Sequence, residues 1–142
     1  EVADRLVAQP GTRDYGALTV LVGQWASADR LLAVPPGAFR PAPSVQSAVV
    51  RLVYRQMASP GQLDPLPPQA QPVPGDQANF EALVKALFGK RRKTLSNALR
   101  GAGSSGPVDT SAVLEEAGID GRRRPETLSL AELVRLADLT SP

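Results

Sequence analysis

The sequence predicts an α/β segment followed by an all-helical segment, separated by a linker rich in proline. Residues 1–55 carry two apolar patterns with helical spacing and two short apolar runs that are typical of strands. Residues 56–77 hold six prolines among Gln, Ser and Gly, a composition that favours a semi-extended linker. Residues 78–142 show helical spacing throughout. These observations define an α/β part, a linker and a helical domain.

The α/β part contains fewer elements than a complete domain needs. Helical spacing covers residues 1–8 and 14–26, and strands are predicted at residues 31–34 and Ser47–Tyr54. A strand pair is marginal in water unless more sheet or a helix covers it. We therefore expect either pairing at its exposed edges or a weakly stable α/β part. The sequence also begins inside a helical pattern without a capping residue, which suggests a piece of a longer protein.

The helical domain is expected to contain four short helices that form a small bundle. Their boundaries are predicted from residues that cap helices and from glycines that end them. We predict a first helix from an N-cap at Asn79 to Gly89, a second over residues 91–99, a third from Asp109 or Thr110 to Gly118, and a fourth that starts with a capping box of Ser129 and Glu132.

The composition excludes several kinds of site. The chain of 142 residues has no cysteine and no histidine, which excludes disulfides, thiolate nucleophiles, His-based catalytic triads and the commonest zinc ligand. We therefore predict no metal site. No apolar run is long enough to span a membrane, and the first residues lack the features of a signal peptide. We expect no membrane partner and a cytoplasmic location.

Positive charge is concentrated in the helical domain. Residues 1–76 carry six basic and six acidic side chains, whereas residues 77–142 carry ten basic and eight acidic ones. Six of the basic residues fall between Lys85 and Arg100, with no acidic residue among them. This local density suggests an anionic partner such as nucleic acid, although a solvated helix end explains it equally well.

The basic run at residues 90–93 lies at the predicted start of the second helix. Cationic side chains at that position oppose the helix dipole, so their placement is easier to understand if phosphate is the neighbour. Arginine suits bidentate phosphate contacts, which position nucleic acid without reading its sequence. The run is therefore a candidate phosphate-binding cluster.

Residues 39–47 form a stiff entry into the second strand. Arg40 and Ala42 each precede a proline, which biases them towards extended geometry, and the prolines cannot donate to a sheet ladder. Such a loop can hold the aromatic ring of Phe39 out over a pocket. The alternative is an ordinary proline-rich connection in which Phe39 fills part of a core.

Four blocks of the sequence resemble the rRNA adenine N6,N6-dimethyltransferase family. They occur in the family's order and spacing and together extend from about residue 1 to 139. The blocks are Tyr15-Gly-Ala-Leu-Thr-Val20, similar to YGxLSV; Phe39 with Pro41, Pro43, Val45 and Ser47, similar to FxPxPxVxS; Arg91-Arg-Lys-Thr-Leu-Ser-Asn-Ala-Leu99, similar to RRKTLxNxL; and residues 118–120 with 124–129, similar to GID…RPExLS.

The resemblance implies the C-terminal half of such an enzyme. The last helices and strands of a Rossmann-like methyltransferase sheet would be followed by a helical rRNA-binding domain. Members of the ribosome-assembly branch, which the C-terminal blocks favour, dimethylate two adjacent adenosines of small-subunit rRNA with S-adenosylmethionine. The family's Gly-rich cofactor turn and its Asn-Leu-Pro-Tyr motif are absent from this sequence. We therefore expect no methyl transfer and no S-adenosylmethionine binding by this chain alone.

The resemblance also implies roles for individual residues and partners. Phe39 would stack on the flipped target adenine, and the partner would be small-subunit rRNA or a pre-30S-type particle. Two other functions remain open, which are a non-catalytic RNA-binding or ribosome-assembly module and a helical protein-interaction domain. The predicted RNA-binding residues are Arg91, Arg92 and Lys93, with Lys90, Arg122, Arg123, Arg124 and Arg40 as further candidates.

Overall fold

The computed structural model describes residues 1–54, 72–100, 102 and 109–141. Within these ranges, six α-helices and one two-stranded sheet alternate with turns, two of which are short 3₁₀ segments. In chain order the elements are α1 (Val2–Leu6), α2 (Ala17–Gly23), β1 (Ala26–Val34), the 3₁₀ turn Pro36–Ala38, β2 (Ser47–Tyr54), α3 (Gln77–Gly89), α4 (Leu95–Leu99), α5 (Thr110–Ala117), the 3₁₀ turn Pro125–Thr127 and α6 (Leu130–Leu139).

β1 and β2 form an antiparallel hairpin. The register pairs Ala26 with Tyr54 at one end and Val34 with Ser47 at the other, with an irregularity at Leu31. β2 has the predicted bounds. β1 begins earlier than predicted, at Ala26, because it pairs with β2 along the full length of β2.

The hairpin leaves a large amount of apolar surface in solvent. Two antiparallel strands are less sheet than a complete α/β domain requires, which agrees with the prediction of an incomplete α/β part. The exposed large apolar side chains of the two strands are Leu31, Leu32, Val49, Leu52, Val53 and Tyr54.

The predicted helix over residues 14–26 is wrong at both ends. α2 begins after Gly16, which is its N-cap in an extended conformation. Tyr15 is buried ahead of the helix, and Trp25 lies in the turn that leads into β1. Both aromatic residues fit the helical spacing of α2, although the helix includes neither of them.

The start and the end of α3 both differ from the prediction. Its N-cap is Asp76, whose carboxylate accepts a hydrogen bond from the Asn79 N–H at 3.0 Å. The Asn79 side chain instead donates to the C=O of Ala137 at 2.7 Å, which joins α3 to α6. Gly89, which the sequence predicts to lie just beyond the end of the helix, is instead its last residue, and Lys90 is the C-cap.

α1 and α4 are shorter than predicted, and the remaining helix boundaries are confirmed. α4 begins at Leu95 because Thr94 is its N-cap. Asp109 caps α5 by accepting from the N–H groups of Ser111 and Ala112, Gly118 ends α5 with φ +67°, and Ser129 with Glu132 forms the capping box of α6.

One hydrophobic core joins the first two helices to the helices near the C-terminus. α3 and α5 both pack against α6, and α2 packs against α3. Tyr15 and Val20, from the first part of the chain, belong to the same buried cluster as the later helices. The largest fully buried side chains of that cluster are Phe80, Leu87, Leu95, Leu128, Leu133 and Leu136.

Most of the predicted linker at residues 56–77 lies outside the described residues. The division into three regions therefore stays a prediction, and the shared core shows that the α/β part does not pack independently of the helices. None of the helices in the described ranges is long and apolar enough to cross a membrane.

Tyr15 allows the shared core to be tested. Its hydroxyl donates to the buried C=O of Leu128 at 2.8 Å, and its ring meets Phe88 edge-on with 5.8 Å between centroids. Tyr15→Phe should lower the free energy of unfolding by about 1–3 kcal/mol, because the Leu128 carbonyl is left without a partner. Urea denaturation of the protein measures the change. As a matched control, Tyr54→Phe removes the hydroxyl of an exposed tyrosine and should change stability by less than about 0.5 kcal/mol.

The loss of stability caused by Tyr15→Phe is expected to depend on pH. Burial, with a smaller contribution from the charge of Glu132, raises the pKa of Tyr15 to about 12. A folded-state pKa above the ordinary value of about 10 means that the proton is bound more tightly in the folded protein, so this contribution is complete below pH 10 and is lost as the pH rises towards 12. The stability difference between wild type and Tyr15→Phe should therefore narrow over that interval. A constant difference would contradict the buried position of the hydroxyl.

Candidate nucleic-acid interface

Phe39 follows the 3₁₀ turn that leaves β1, and its ring is partly open to solvent. Its N–H donates to the C=O of Pro36 at 3.2 Å, and its backbone is extended, with φ −117° and ψ 153°. The residue is 41% exposed and is not part of the buried cluster. The sequence left open whether the loop holds the Phe39 ring out or the ring fills part of a core. The structure agrees with the first alternative and not with the second.

The residues after Phe39 connect it to β2 without sheet pairing. The last residue pair of the hairpin is Val34 with Ser47. Residues 39–46 therefore lie outside the ladder, as the prolines predict. Arg40 is exposed, and its side chain makes no hydrogen bond or ion pair with another described residue. The loop therefore presents one aromatic ring and one cation.

The basic run at residues 90–93 forms a turn between α3 and α4 instead of the first turn of α4. The N–H of Lys93 donates to the C=O of Lys90 at 2.8 Å and closes this turn. The predicted helix over residues 91–99 is therefore too long at its start. The cationic side chains lie ahead of the helix, where opposition from its dipole is weaker.

The first N–H groups of α4 are already hydrogen-bonded within the protein. The Leu95 N–H donates to the C=O of Arg123 at 2.7 Å, and the Ser96 N–H donates to the C=O of Gly121 at 3.1 Å. These backbone donors are unavailable to phosphate. Any attraction for anions at this position must come from the side chains.

The same hydrogen bonds place a second basic turn, residues 121–124, directly beside the first. The Ser96 hydroxyl also donates to the Gly121 C=O at 3.1 Å. A Cβ atom at Gly121 would collide with Ser96 Oγ and lie 2.9 Å from a methyl group of Leu114, so a larger residue would force both side chains to move. Sequence reasoning missed this contact, for which the one available signal was a glycine ahead of three arginines. We call residues 90–93 together with 122–124 the paired basic turns.

Four cations of the paired basic turns are free to meet a ligand. They are exposed, and their side chains form no hydrogen bond or ion pair with another residue in the described part of the chain. Arginine and lysine in this state retain all of their donors for phosphate oxygens. These residues are Arg92, Lys93, Arg122 and Arg124.

Arg91 and Lys90 are partly engaged within the protein. Arg91 donates from Nε to the carboxylate of Glu126 at 3.3 Å and from Nη2 to the C=O of Arg13 at 2.8 Å. Lys90 donates from Nζ to the C=O of Ala98 at 3.4 Å. Arg91 therefore joins the first part of the chain to the paired basic turns, and its guanidinium is only partly available to a ligand.

Arg123 is the most engaged of the predicted RNA-binding residues. Its guanidinium forms a two-pronged ion pair with Glu132, with distances of 2.5 and 3.2 Å, and also donates to the C=O of Thr127 at 2.7 Å and to its hydroxyl at 3.3 Å. Partial burial works to raise the pKa of Glu132, but hydrogen bonds from Arg123 and Ser129 and the Arg123 charge hold it below its usual value. Arg123 therefore fixes the second basic turn against α6.

The connection between the two strands differs from the Gly-rich cofactor turn of the resembled family. The connection between β1 and β2 contains a single glycine, Gly37, which lies within a 3₁₀ turn. A Gly-rich turn that leads from a strand to a helix, as a methyltransferase sheet needs for its cofactor, is not formed by these elements. No group of three or more Asp or Glu side chains in the described ranges is arranged to hold a metal ion.

Arg123 and Arg122 give a matched comparison of structural and exposed cations. Arg123→Gln should lower the free energy of unfolding by about 1.5–3 kcal/mol, because it breaks hydrogen bonds to a partly buried carboxylate. Arg122→Gln removes the same charge from an exposed side chain and should change stability by less than about 0.5 kcal/mol. Urea denaturation at neutral pH measures both variants. Equal stability of the two variants would contradict the structural role of Arg123.

Comparison with known proteins gives a consistent family assignment. A sequence model of the family described as Ribosomal RNA adenine dimethylase matches residues 1–138. A protein of Syntrophotalea carbinolica named Ribosomal RNA small subunit methyltransferase A is 46% identical over 142 residues, which cover 100% of this chain and 49% of the relative. A protein of the same name from Geobacillus kaustophilus is 43% identical over 145 residues and covers 100% of this chain and 45% of the relative. The chain thus spans about half the length of the curated relatives it matches.

A solved structure supports the same fold. The crystal structure of a dimethyladenosine transferase from Plasmodium falciparum superposes with a TM-score of 0.68 at 20% sequence identity, over 94% of this chain and 52% of that one. At this identity the likeness concerns the fold alone. Because the family match covers almost the whole sequence, the chain belongs to the ribosomal RNA adenine dimethylase family.

Proposed function

We propose that the complete protein carrying this chain is a methyltransferase that dimethylates the N6 of two adjacent adenosines in small-subunit rRNA. The names of the relatives support methyl transfer to small-subunit rRNA, and the family description supports dimethylation of adenine. The N6 position and the two adjacent adenosines follow from the sequence resemblance. The observation that supports a role for this chain is the exposed ring of Phe39, held by a proline-rich loop of the same protein that presents the paired basic turns. This chain supplies part of the RNA-facing surface.

Phe39 is proposed to stack on the target adenine. A base must leave its helix before an enzyme can reach its exocyclic amine, and an aromatic ring compensates for the lost stacking. The Phe39 ring is 41% exposed and is not among the residues that form or pack against the core cluster, so part of it is available to a base. The next residue, the exposed Arg40, is proposed to contact a phosphate near that base.

The paired basic turns are proposed to hold the RNA backbone. Arg92, Lys93, Arg122 and Arg124 have free donors, and phosphate contacts of this kind fix the position of the RNA without reading its sequence. Arg91 and Lys90 contribute less because protein carbonyl and carboxylate oxygens already occupy part of their donors.

S-adenosylmethionine is proposed as the methyl donor of the complete enzyme. The described elements include no Gly-rich turn from a strand to a helix, and we therefore place its site in the part of the relatives that this chain does not match. A pre-30S-type particle as the physiological substrate and a cytoplasmic location belong to the same proposal. The non-catalytic RNA-binding or ribosome-assembly module and the protein-interaction domain are not adopted, because the relatives are named as methyltransferases.

Phe39→Ala in the complete protein should reduce kcat for adenosine methylation. The loss of one base-stacking contact, about 1–3 kcal/mol, corresponds to a roughly 5- to 150-fold slower reaction. Phe39→Tyr keeps the aromatic face and should retain most of the activity. Trp25→Ala, which removes an aromatic of nearly equal exposure from the turn ahead of β1, is the matched control, since Trp25 is 42% exposed and Phe39 is 41% exposed. An equal effect of Phe39→Ala and Trp25→Ala on kcat would contradict the stacking role.

The double variant Arg92→Gln, Lys93→Gln should weaken rRNA binding and reduce its dependence on salt. Each phosphate contact that is lost lowers the magnitude of the slope of log affinity against log salt by about 0.7–0.9. Filter binding of an rRNA fragment at several salt concentrations measures the slope. Arg30→Gln with Arg51→Gln removes the same charge from two exposed ion pairs, Arg30 with Asp4 of α1 and Arg51 with Asp29 of β1, and should leave the slope unchanged. If the Arg92 and Lys93 variant has the same slope of log affinity against log salt as wild type, the first basic turn does not contact phosphate.

A further inference from the structure

A second basic feature lies beside the paired basic turns. A cleft of about 670 Å³ opens between α1, the loop that precedes α2, the end of α3 and the first basic turn. Its volume is in the range of clefts that take small ligands. Four basic side chains from four separate segments line it, and they are Arg5, Arg13, Lys85 and Arg91.

Backbone contacts hold Arg13 close to Arg91. The C=O of Arg13 accepts the Arg91 Nη2 hydrogen bond at 2.8 Å. The loop before Arg13 is fixed as well, because the N–H of Gly11 donates to the C=O of Glu126 at 2.7 Å, with φ +87° at the glycine. Glu126 also accepts from Arg91. These contacts anchor the Arg13 backbone at the cleft and leave its own guanidinium unpaired among the described residues.

The cleft retains donors for an anion. The Arg13 side chain makes no hydrogen bond or ion pair with another described residue. Lys85 has one ion pair, with Glu81 at 3.4 Å, and this pair is exposed. The Arg91 guanidinium uses only Nε and one Nη2 bond, so N–H groups remain. By contrast Arg5 is paired with Glu1 at 2.6 Å.

The remaining lining shows what the ligand would meet besides cations. Leu18, which is 38% exposed, and the edge of Phe88 give the cleft an apolar side. Two acidic residues also line the cleft: Glu1 is paired with Arg5, whereas the charge of Asp14 opposes an anion. An apolar side next to unpaired cations suits a sugar-phosphate chain, which carries both kinds of surface.

We propose that this cleft binds a phosphodiester segment of the substrate RNA, with Arg13 and Lys85 as its phosphate contacts. Arg91 lines the cleft and also belongs to the paired basic turns, so the cleft adjoins the turns and a phosphodiester chain bound at the turns would reach it. This continuity favours RNA over an acidic protein segment. The inference rests on the proposed function, because it takes rRNA as the ligand.

The test uses the complete protein and a small-subunit rRNA fragment that contains the target adenosines. The double variant Arg13→Gln, Lys85→Gln should lower the magnitude of the salt slope by about 1.4–1.8, the contribution of two phosphate contacts. Asp14→Asn should tighten binding at low salt, because it removes a negative charge from the cleft. Arg30→Gln with Arg51→Gln is the matched two-charge control and should keep the wild-type slope. Thermal unfolding of each variant checks that the fold is retained.

The outcomes distinguish this inference from the proposed function. A wild-type protein that neither binds nor methylates the rRNA would overturn both. A wild type that binds and methylates, together with a cleft variant whose slope equals that of wild type, would overturn the cleft site alone. Weaker RNA binding by Asp14→Asn than by wild type would also overturn the cleft site. So would a loss of affinity in the Arg13 and Lys85 variant without a change in its salt slope, because that result is expected for a non-ionic contact.

Discussion

The docking of the segment before α2 onto the helical core is the interaction on which the rest of the structure depends. Tyr15 places its ring against Phe88 and its hydroxyl against the Leu128 carbonyl, and the neighbouring Gly11 N–H is bonded to Glu126. α2 leads directly into β1, which carries the Phe39 loop at its other end. The aromatic residue and the paired basic turns are therefore positioned relative to each other through a small set of buried contacts.

The arginines of the paired basic turns fall into two groups with different roles. Arg123 and Arg91 are held by carboxylates and carbonyls, and their loss would change the shape of the surface. Arg92 and Arg124 are exposed, and their side chains have no partner among the described residues, so their loss would change mainly the charge. The close approach of Gly121 to Ser96 brings these groups together and makes two separate basic runs one surface.

The sequence predicted features that depend on neighbouring residues and missed those that depend on distant ones. The bounds of β2, the αL glycine after α5 and the α6 capping box follow from local patterns, and all three are present. The α3 cap was assigned to Asn79 instead of Asp76 because both residue types cap helices and only packing against Ala137 separates them. The hydrogen bond from Tyr15 joins residues 113 positions apart, beyond any local rule. For the site, the two basic runs could be read from the sequence. The ion pair that holds Arg123 could not, because its partner Glu132 lies beyond a turn.

The exposed apolar face of the hairpin bears on how Phe39 acts. A two-stranded sheet with Leu52, Val53 and Tyr54 in solvent gains stability when further sheet or helix covers it. The curated relatives are about twice as long as this chain, which leaves ample sequence for that cover. Residues that cover the hairpin would also form the opposite wall around the Phe39 ring, since the ring lies at the end of the same strands. The proposed stacking by Phe39 thus depends on residues beyond this hairpin, whereas the paired basic turns are formed within this chain.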